Sequence, residues 1–417
     1  MSAKKVLVFS DCYIYGGSER LMSFLLKNRI LQDNFILLYG YRKHKEYEVG
    51  LRNEGLMNRN GNFPLKLLSN ETLFHDINCM GLPNILRKVI KIPFFILERI
   101  KIYFLWNLLV LMYLLLKIRP DLIHINNGGY PAAKSCNVLV VANFLTIKTK
   151  IIYQVNNQAV ECKGYFERIY DGFIDKNVNR FINASHKARQ RLVENRKFNI
   201  EKIDIVNNCV SLPGIRVKRD EICKELNIPK DSFLIVEVAF LSERKGQRYL
   251  IDALSQLFNN GLLPKENVHC AFVGNGEDEE FLKKHINGLG LNSNIFLLGY
   301  KTNSEDYIAA SDLFVLPSIK DEDMPLVLLS ALGYGKSIIA TDFAGISQVI
   351  DSGVNGILIQ NNLETFTYDL AEEINRLYND KALREKLGRN AEKTYVNYNP
   401  ESYGLRLKGI YDEVYAG

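Results

Sequence analysis

The sequence predicts an α/β chain made of two doubly wound parallel sheets, each a Rossmann-like domain. Three observations carry this. The chain has 417 residues, more than one hydrophobic core usually organises. Short apolar runs alternate with helical stretches, the pattern of an open parallel sheet. The alternation resets around Val206 to Pro213 and then begins again.

In the first series, Val6 to Asp11 reads as a buried strand, followed by a glycine turn, Gly16-Gly17, and an apolar-periodic helix from Leu21 to Ile30. Further strands are expected at Phe35 to Tyr39, Leu122 to Ile125, Ile151 to Val155 and Phe181 to Ala184. The second series predicts strands at Phe233 to Val238, Val268 to Val273, Ile295 to Leu298, Leu313 to Pro317, Ser337 to Thr341 and Ile357 to Ile359. Helices are expected at Gln247 to Phe258, near Asp278 to Asn287 and from about Pro325 to Tyr334. The expected domains are therefore 1–205 and 206–395, with a terminal helix at 396–417 crossing back to the first. Two such sheets place a ligand cleft between their strand ends.

Composition narrows the function classes. A hydrophobic share of 47% and only 11 prolines indicate packed domains, and a net charge of +6 without a long basic block gives no support to nucleic-acid binding. Anionic small molecules and lipid headgroups fit better. The seven cysteines are scattered, without the close pairs of zinc sites or disulfide frameworks, which points to a reducing compartment. The apolar run Val6 to Phe9 is too short for a secretory signal, so the expected location is the cytoplasm. The run Ile102 to Leu116 carries no charge and has basic margins, Arg87, Lys88, Lys91, Arg99, Lys101, Lys117 and Arg119. It is shorter than the ~20 residues a spanning helix needs. Two readings stand: a core helix, or an interfacial helix with Trp106 and Tyr103 at headgroup depth, giving peripheral membrane contact through 87–119 on the inner face.

Several motifs suit a phosphate-bearing ligand. Gly16 and Gly17 precede a helix and let backbone approach an anion. Arg244-Lys245-Gly246 follows a strand and opens a helix, where it is either a solvated loop or a pair of cations for a leaving diphosphate. Gly274-Asn275-Gly276 directly follows another strand. Pro325 suits the first turn of a helix, with the amides of Met324 and Leu326 toward the strand ends and Glu322 just outside. Glu322 and Asp323 could equally be simple caps. His124, Asn126, Asn127, Asn156 and Asn157 end two strands of the first sheet and could bond hydroxyls.

Taken together and in order, Gly16 to Arg20, Arg119 to His124, Ser185, Lys245-Gly246, Gly274 to Gly276, Gly299, Pro317-Ser318, Gly335 to Asp342 and Gly353 to Gly356 resemble the retaining glycosyltransferases of family 4, which have the GT-B fold. The resemblance implies that Glu322 is the first glutamate of a Glu-x7-Glu motif holding donor-sugar hydroxyls, and that the amides of Met324 to Leu326 meet sugar and phosphate. It implies that Lys245 binds the diphosphate and that Gly16-Gly17 lie by phosphate and acceptor. Glu322, Lys245, Arg244 and His124 form the expected catalytic set. Gly299, Tyr300 and Ser330 complete the donor-binding set, and the four asparagines the acceptor set. Two departures stand out: Ser330 occupies the second glutamate position, and Phe240 occupies the position of an arginine, leaving Arg244 to act in its stead. Gln348 also stands where a glutamate is common.

The expected function is metal-independent, cofactor-free retaining transfer of a hexosyl or N-acetylhexosaminyl group from a nucleotide-sugar to a glycan or lipid-linked acceptor. The alternative is a catalytically weak binding or scaffold subunit. An epimerase of the same fold would not need the Glu322 helix start. Asp321-Glu-Asp323 resembles a metal-binding Asp-x-Asp, but the helix start around it argues against a metal.

Overall fold

A computed structural model describes residues 4–416, which form two compact units. The first comprises residues 4–184, 188–206 and 404–416; the second comprises Ser185–Lys187 and Asn207–Tyr403.

The first unit holds seven strands: β1 (Lys4–Ser10), β2 (Phe35–Arg42), β3 (Asn62–Leu65), β4 (Leu122–Asn127), β5 (Lys150–Val155), β6 (Arg180–Asn183) and β7 (Ile203–Ile205). They lie in the order β3-β2-β1-β4-β5-β6-β7. Every pairing is parallel, with Val8 opposite both Tyr39 and His124. Parallel strands covered on both faces need apolar side chains throughout, and Val6, Leu7, Val8, Phe9, Ile123 and Ile125 are fully buried. Each such side chain contributes roughly 1.5–3 kcal/mol. Like β7 at the other edge, β3 has no counterpart in the predicted series. Its sequence Asn-Phe-Pro-Leu is short and contains Pro64, which a sheet tolerates at an edge.

The second unit repeats the plan with β8 (Phe233–Val238), β9 (Val268–Val273), β10 (Ile295–Leu297), β11 (Leu313–Leu316), β12 (Ser337–Asp342) and β13 (Ile357–Gln360). Their order is β10-β9-β8-β11-β12-β13, again all parallel. Both sheets therefore reverse their winding once, between β1 and β4 and between β8 and β11, where open α/β sheets bind ligands.

The apolar segment of the first unit is a bent pair of helices, Asn84–Arg99 and Ile102–Ile118, meeting at 64° with Lys101 at φ 66 between them. The second helix buries Leu111, Leu114, Leu115 and Ile118, and Asn107 exchanges hydrogen bonds with the backbone of Leu68. Its other face exposes Leu105, Trp106, Leu109 and Tyr113. Tyr103, expected beside Trp106 at an interface, is buried instead. The first helix has no buried residue, and exposes Ile85, Val89, Ile92, Phe95 and Ile96. Among the described residues no single helix is long and apolar enough to cross a membrane.

Candidate active site

In the second unit the chain leaves β8 through one 3-10 turn, Glu243–Lys245, and enters the helix Gln247–Asn259 at Gly246. Gly246 has φ +77, and a Cβ there would fall 2.0 Å from the carbonyl oxygen of Pro317. Only glycine allows that approach. It lets the loop after β8 lie against the loop after β11, where the Ile319 amide donates to the Arg244 carbonyl at 2.8 Å. The Lys245 ammonium consequently contacts Glu322 Oε1, and Arg244 Nη1 stands 3.6 Å from the same oxygen. Arg244 Nη1 also donates to the carbonyl of Asp321 at 3.1 Å.

The Lys245 and Glu322 side chains are only 11% and 8% exposed. Burial, then the neighbouring Arg244 guanidinium, pulls the Lys245 ammonium down to about 7, against the pull of Glu237 and Asp321. The contacting Glu322 carboxylate also favours the charged form. Glu237 is a site neighbour that the motif pattern does not single out. It lies on fully buried β8, accepts from Gln247 Nε2 at 2.9 Å, and its Oε2 has no hydrogen-bond partner. Burial raises its carboxyl well above the usual range. The available signal was a glutamate inside the otherwise apolar run Phe-Leu-Ile-Val-Glu-Val.

The loop after β11 runs from Pro317 to Pro325, which precedes the helix Leu326–Gly333 with φ −70 and ψ 133. The first-turn amides of such a helix have no intrahelical acceptor and present partial positive charge. Met324 is buried and its carbonyl accepts from Asn208 Nδ2 at 2.8 Å. Asp323 accepts from the Ser185 hydroxyl, and burial raises its carboxyl to about 6. Ser330 is 2% exposed within this helix and offers a hydroxyl in place of a carboxylate. Phe240 is 47% exposed.

The Gly274 to Gly276 loop has a structural reason of its own. A Cβ at Gly274 would lie 1.9 Å from the Ala239 oxygen, and one at Gly276 2.0 Å from the Leu241 oxygen. The Gly274 amide donates to Gly299, and Asn275 accepts from the Leu241 amide. These glycines pack one strand-end loop on another. Asn275 and Tyr300 are exposed beside them.

In the first unit Gly16 precedes the helix Gly17–Lys27, whose Leu21, Met22 and Leu25 enter the core. The Glu19 carboxylate reaches back to accept from the Gly16 amide at 3.2 Å and from Ser18 Oγ at 2.7 Å. The helix start therefore already carries an internal anion, which burial holds above the usual carboxylate range. At Gly17 a Cβ would meet nothing within 4 Å, so that face is open.

The strand-end polar residues form a network. Asn126 Nδ2 donates to Ser10 Oγ at 3.2 Å, Asn156 Nδ2 donates to Asn126 Oδ1 at 2.5 Å, and Asn127 bonds Tyr153 and the Ala133 amide. Asn126 and Asn127 are buried, whereas Asn156 and Asn157 are half-buried. His124 requires a correction. It is fully buried, with Nδ1 bonded to Tyr411 at 2.7 Å and Nε2 to Gln154 at 3.0 Å, and burial lowers it to about 4. With both ring nitrogens engaged inside the fold it is a neutral core residue and not a catalytic one.

Two cationic side chains thus meet one carboxylate at the strand ends where the second sheet reverses its winding, and the two Rossmann-like units are of the GT-B class of fold. Residues 218–394 match the family of glycosyl transferases group 1. The alpha-D-kanosaminyltransferase of Streptomyces kanamyceticus is 28% identical over 44% of this chain and 46% of its own length. The UDP-Gal:alpha-D-GlcNAc-diphosphoundecaprenol alpha-1,3-galactosyltransferase of Escherichia coli is 28% identical over 57% of this chain and 61% of its own. The chain thus spans about half to three-fifths of the length of these curated relatives. The crystal structure of Anabaena HepE in complex with UDP matches at TM-score 0.74 and 18% identity, covering 98% of this chain and 100% of that one, a likeness of fold.

Proposed function

We propose that this chain is a retaining, metal-independent glycosyltransferase that moves a hexosyl or N-acetylhexosaminyl group from a nucleotide-sugar to a glycan or lipid-linked acceptor in cell-surface polysaccharide assembly. The observation that carries the reading is the Lys245, Arg244 and Glu322 cluster at the ends of β8 and β11. The Escherichia coli relative, a UDP-Gal-dependent transferase acting on a diphosphoundecaprenol-linked sugar, supports a UDP-sugar as donor and a lipid-linked acceptor; a GDP-sugar is the second donor class to test.

The chemistry follows from charge. Breaking the bond between the sugar and the β-phosphate leaves a diphosphate bearing additional negative charge. Lys245, Arg244 and the amides at Met324 and Leu326 meet that charge. The carboxylate of Glu322, which holds Lys245 in the free protein, is released when phosphate takes the ammonium, and can then accept from sugar hydroxyls. The acceptor hydroxyl passes its proton to the departing phosphate oxygen as its own oxygen bonds the anomeric carbon on the same face. Gly17, open at a helix start in the first unit, is a second place where backbone can approach phosphate or acceptor.

The first unit docks peripherally, on this reading, on the anionic inner face of a cell membrane. The helix Asn84–Arg99 presents Ile85, Val89, Ile92 and Phe95 to solvent, interleaved with Arg87, Lys88 and Lys91. Such a helix lies in the headgroup plane. Ser330 and Phe240 motivate the second reading, a binding or scaffold subunit of weak activity. A panel of UDP- and GDP-sugars separates the two. Donor hydrolysis or transfer by the purified chain supports the transferase, and binding without turnover of any donor overturns it.

A further inference from the structure

Beyond the donor chemistry, we propose that the first unit carries a site for a zinc-class divalent cation, ligated by Glu46, His75 and Cys79. Their ligand atoms all lie within 4.8 Å of one another. His75 and Cys79 are four apart, at the end of the helix Asn70–Asn78 and its C-cap, so their side chains share one helix face. Glu46 comes from the first turn of the helix Lys45–Asn53 and reaches His75 Nε2 at 2.8 Å, while Cys79 Sγ lies 3.8 Å from the same nitrogen. Zinc bonds sulfur at about 2.3 Å and nitrogen at about 2.0 Å, so a tetrahedral sulfur and nitrogen pair sits roughly 3.5 Å apart. The sulfur and nitrogen are already near that separation, and the carboxylate oxygen lies within 4.8 Å of both.

The surroundings orient the set. His44 caps the second of these helices through Nδ1, which accepts from the Glu46 amide at 3.3 Å, and its Nε2 bonds Asp76 at 3.1 Å. The Tyr13 ring packs on His75 with centroids 5.0 Å apart and on His44 at 5.7 Å. One thiolate, one imidazole and one carboxylate form a donor set of intermediate softness, which suits zinc and disfavours magnesium or calcium. Three protein ligands leave one position for water. On binding, the Cys79 thiol releases its proton to solvent, and the proton on His75 Nε2 moves to Nδ1, so the metal replaces the hydrogen bond between His75 and Glu46. Close cysteine pairs are absent here, and Glu46 and His75 are 29 residues apart, which is why sequence spacing misses the site. The cation would tie together the segments that follow β2 and β3.

The test is a titration of the chelator-stripped full chain with Co²⁺ alone, followed by absorbance, then displacement by Zn²⁺. We expect one Co²⁺ per chain with a thiolate-to-cobalt charge-transfer band. Cys79→Ser should abolish the band, whereas Cys12→Ser and Cys162→Ser should keep it. Glu46→Gln should keep the band while weakening Co²⁺ affinity, and His75→Gln should weaken it by at least about 100-fold, since even outer partners of a metal site cost 10- to 100-fold. A wild-type chain without the band, a band that survives Cys79→Ser, or unchanged affinity in both Glu46→Gln and His75→Gln would overturn the assignment.

Discussion

Replacing Lys245 by alanine separates the role of its ammonium in the fold from its role with phosphate. In the free protein the substitution strands Glu322, a side chain 8% exposed, with only the Arg244 guanidinium 3.6 Å away. Removing one partner of a buried pair costs about 3–5 kcal/mol. Arg244 and water should reduce this, so we expect the lower end, and a Lys245→Ala, Glu322→Gln double variant should recover most of the loss. Donor affinity changes separately. A charge-assisted bond contributes about 1.5–3 kcal/mol, which at 1.4 kcal/mol per decade is roughly 10- to 150-fold in Kd. Calorimetric titration with UDP, alongside urea unfolding of the same variants, measures both. If Lys245→Ala binds UDP as tightly as wild type while remaining folded, the assignment of this lysine to the diphosphate is wrong.

Further outcomes follow from the same geometry. Because Lys245 is lowered to about 7 in the free protein, binding a UDP-sugar above that pH must take up a proton. Affinity should be flat below pH 7 and fall by up to about tenfold per unit above it, and a Lys245→Arg variant should lack that slope. For folding the sign is opposite: the unfolded chain holds this proton more tightly, so the cost of burying the lysine is present below about pH 7 and is relieved as pH rises. Gly246→Ala should destabilise the chain by at least about 2 kcal/mol, from its positive φ and the Pro317 contact, and lower donor affinity as well; a Tm equal to wild type would contradict the loop geometry. Exchanging Lys88, Lys91, Arg99 and Lys101 for glutamine should release the chain from anionic vesicles at roughly 1 kcal/mol per residue without lowering Tm, and binding should weaken with salt. Cosedimentation checks this, and no wild-type binding at low salt would reject the docking face. EDTA should leave transfer intact even while it strips a cation from Glu46, His75 and Cys79; loss of transfer restored by Mg²⁺ would point to a metal-dependent mechanism.

Much of the fold is written locally. Runs such as Val6 to Phe9 and Leu313 to Leu316 read as buried parallel strands, because every position in them is apolar, each run is short and each is followed by loop and helix signals. β3 escaped because Asn62 to Leu65 is an edge strand, where one neighbour suffices and Pro64 is tolerated. The bent apolar pair was legible as unusual, yet its partition was not. Composition cannot say that Leu111 faces the core while Leu109 faces water, or that Tyr103 is buried and Trp106 half open.

The site shows the same division. Motif order pointed to Lys245, Glu322 and the helix after Pro325 through the family resemblance it carries, since the residue types alone left a solvated loop and simple helix caps equally open. What only the tertiary structure decided is which groups share an environment. It set Lys245 and Arg244 on one carboxylate oxygen across a contact that Gly246 alone permits, and it gave Gly274 and Gly276 a backbone-packing reason. It closed both nitrogens of His124 inside the core, and gathered Glu46, His75 and Cys79 from two helices. A sequence records residue types and their spacing along the chain. Burial, partnership and charge coupling arise between residues far apart in it, such as His124 and Tyr411, and they exist only once the sheets have formed.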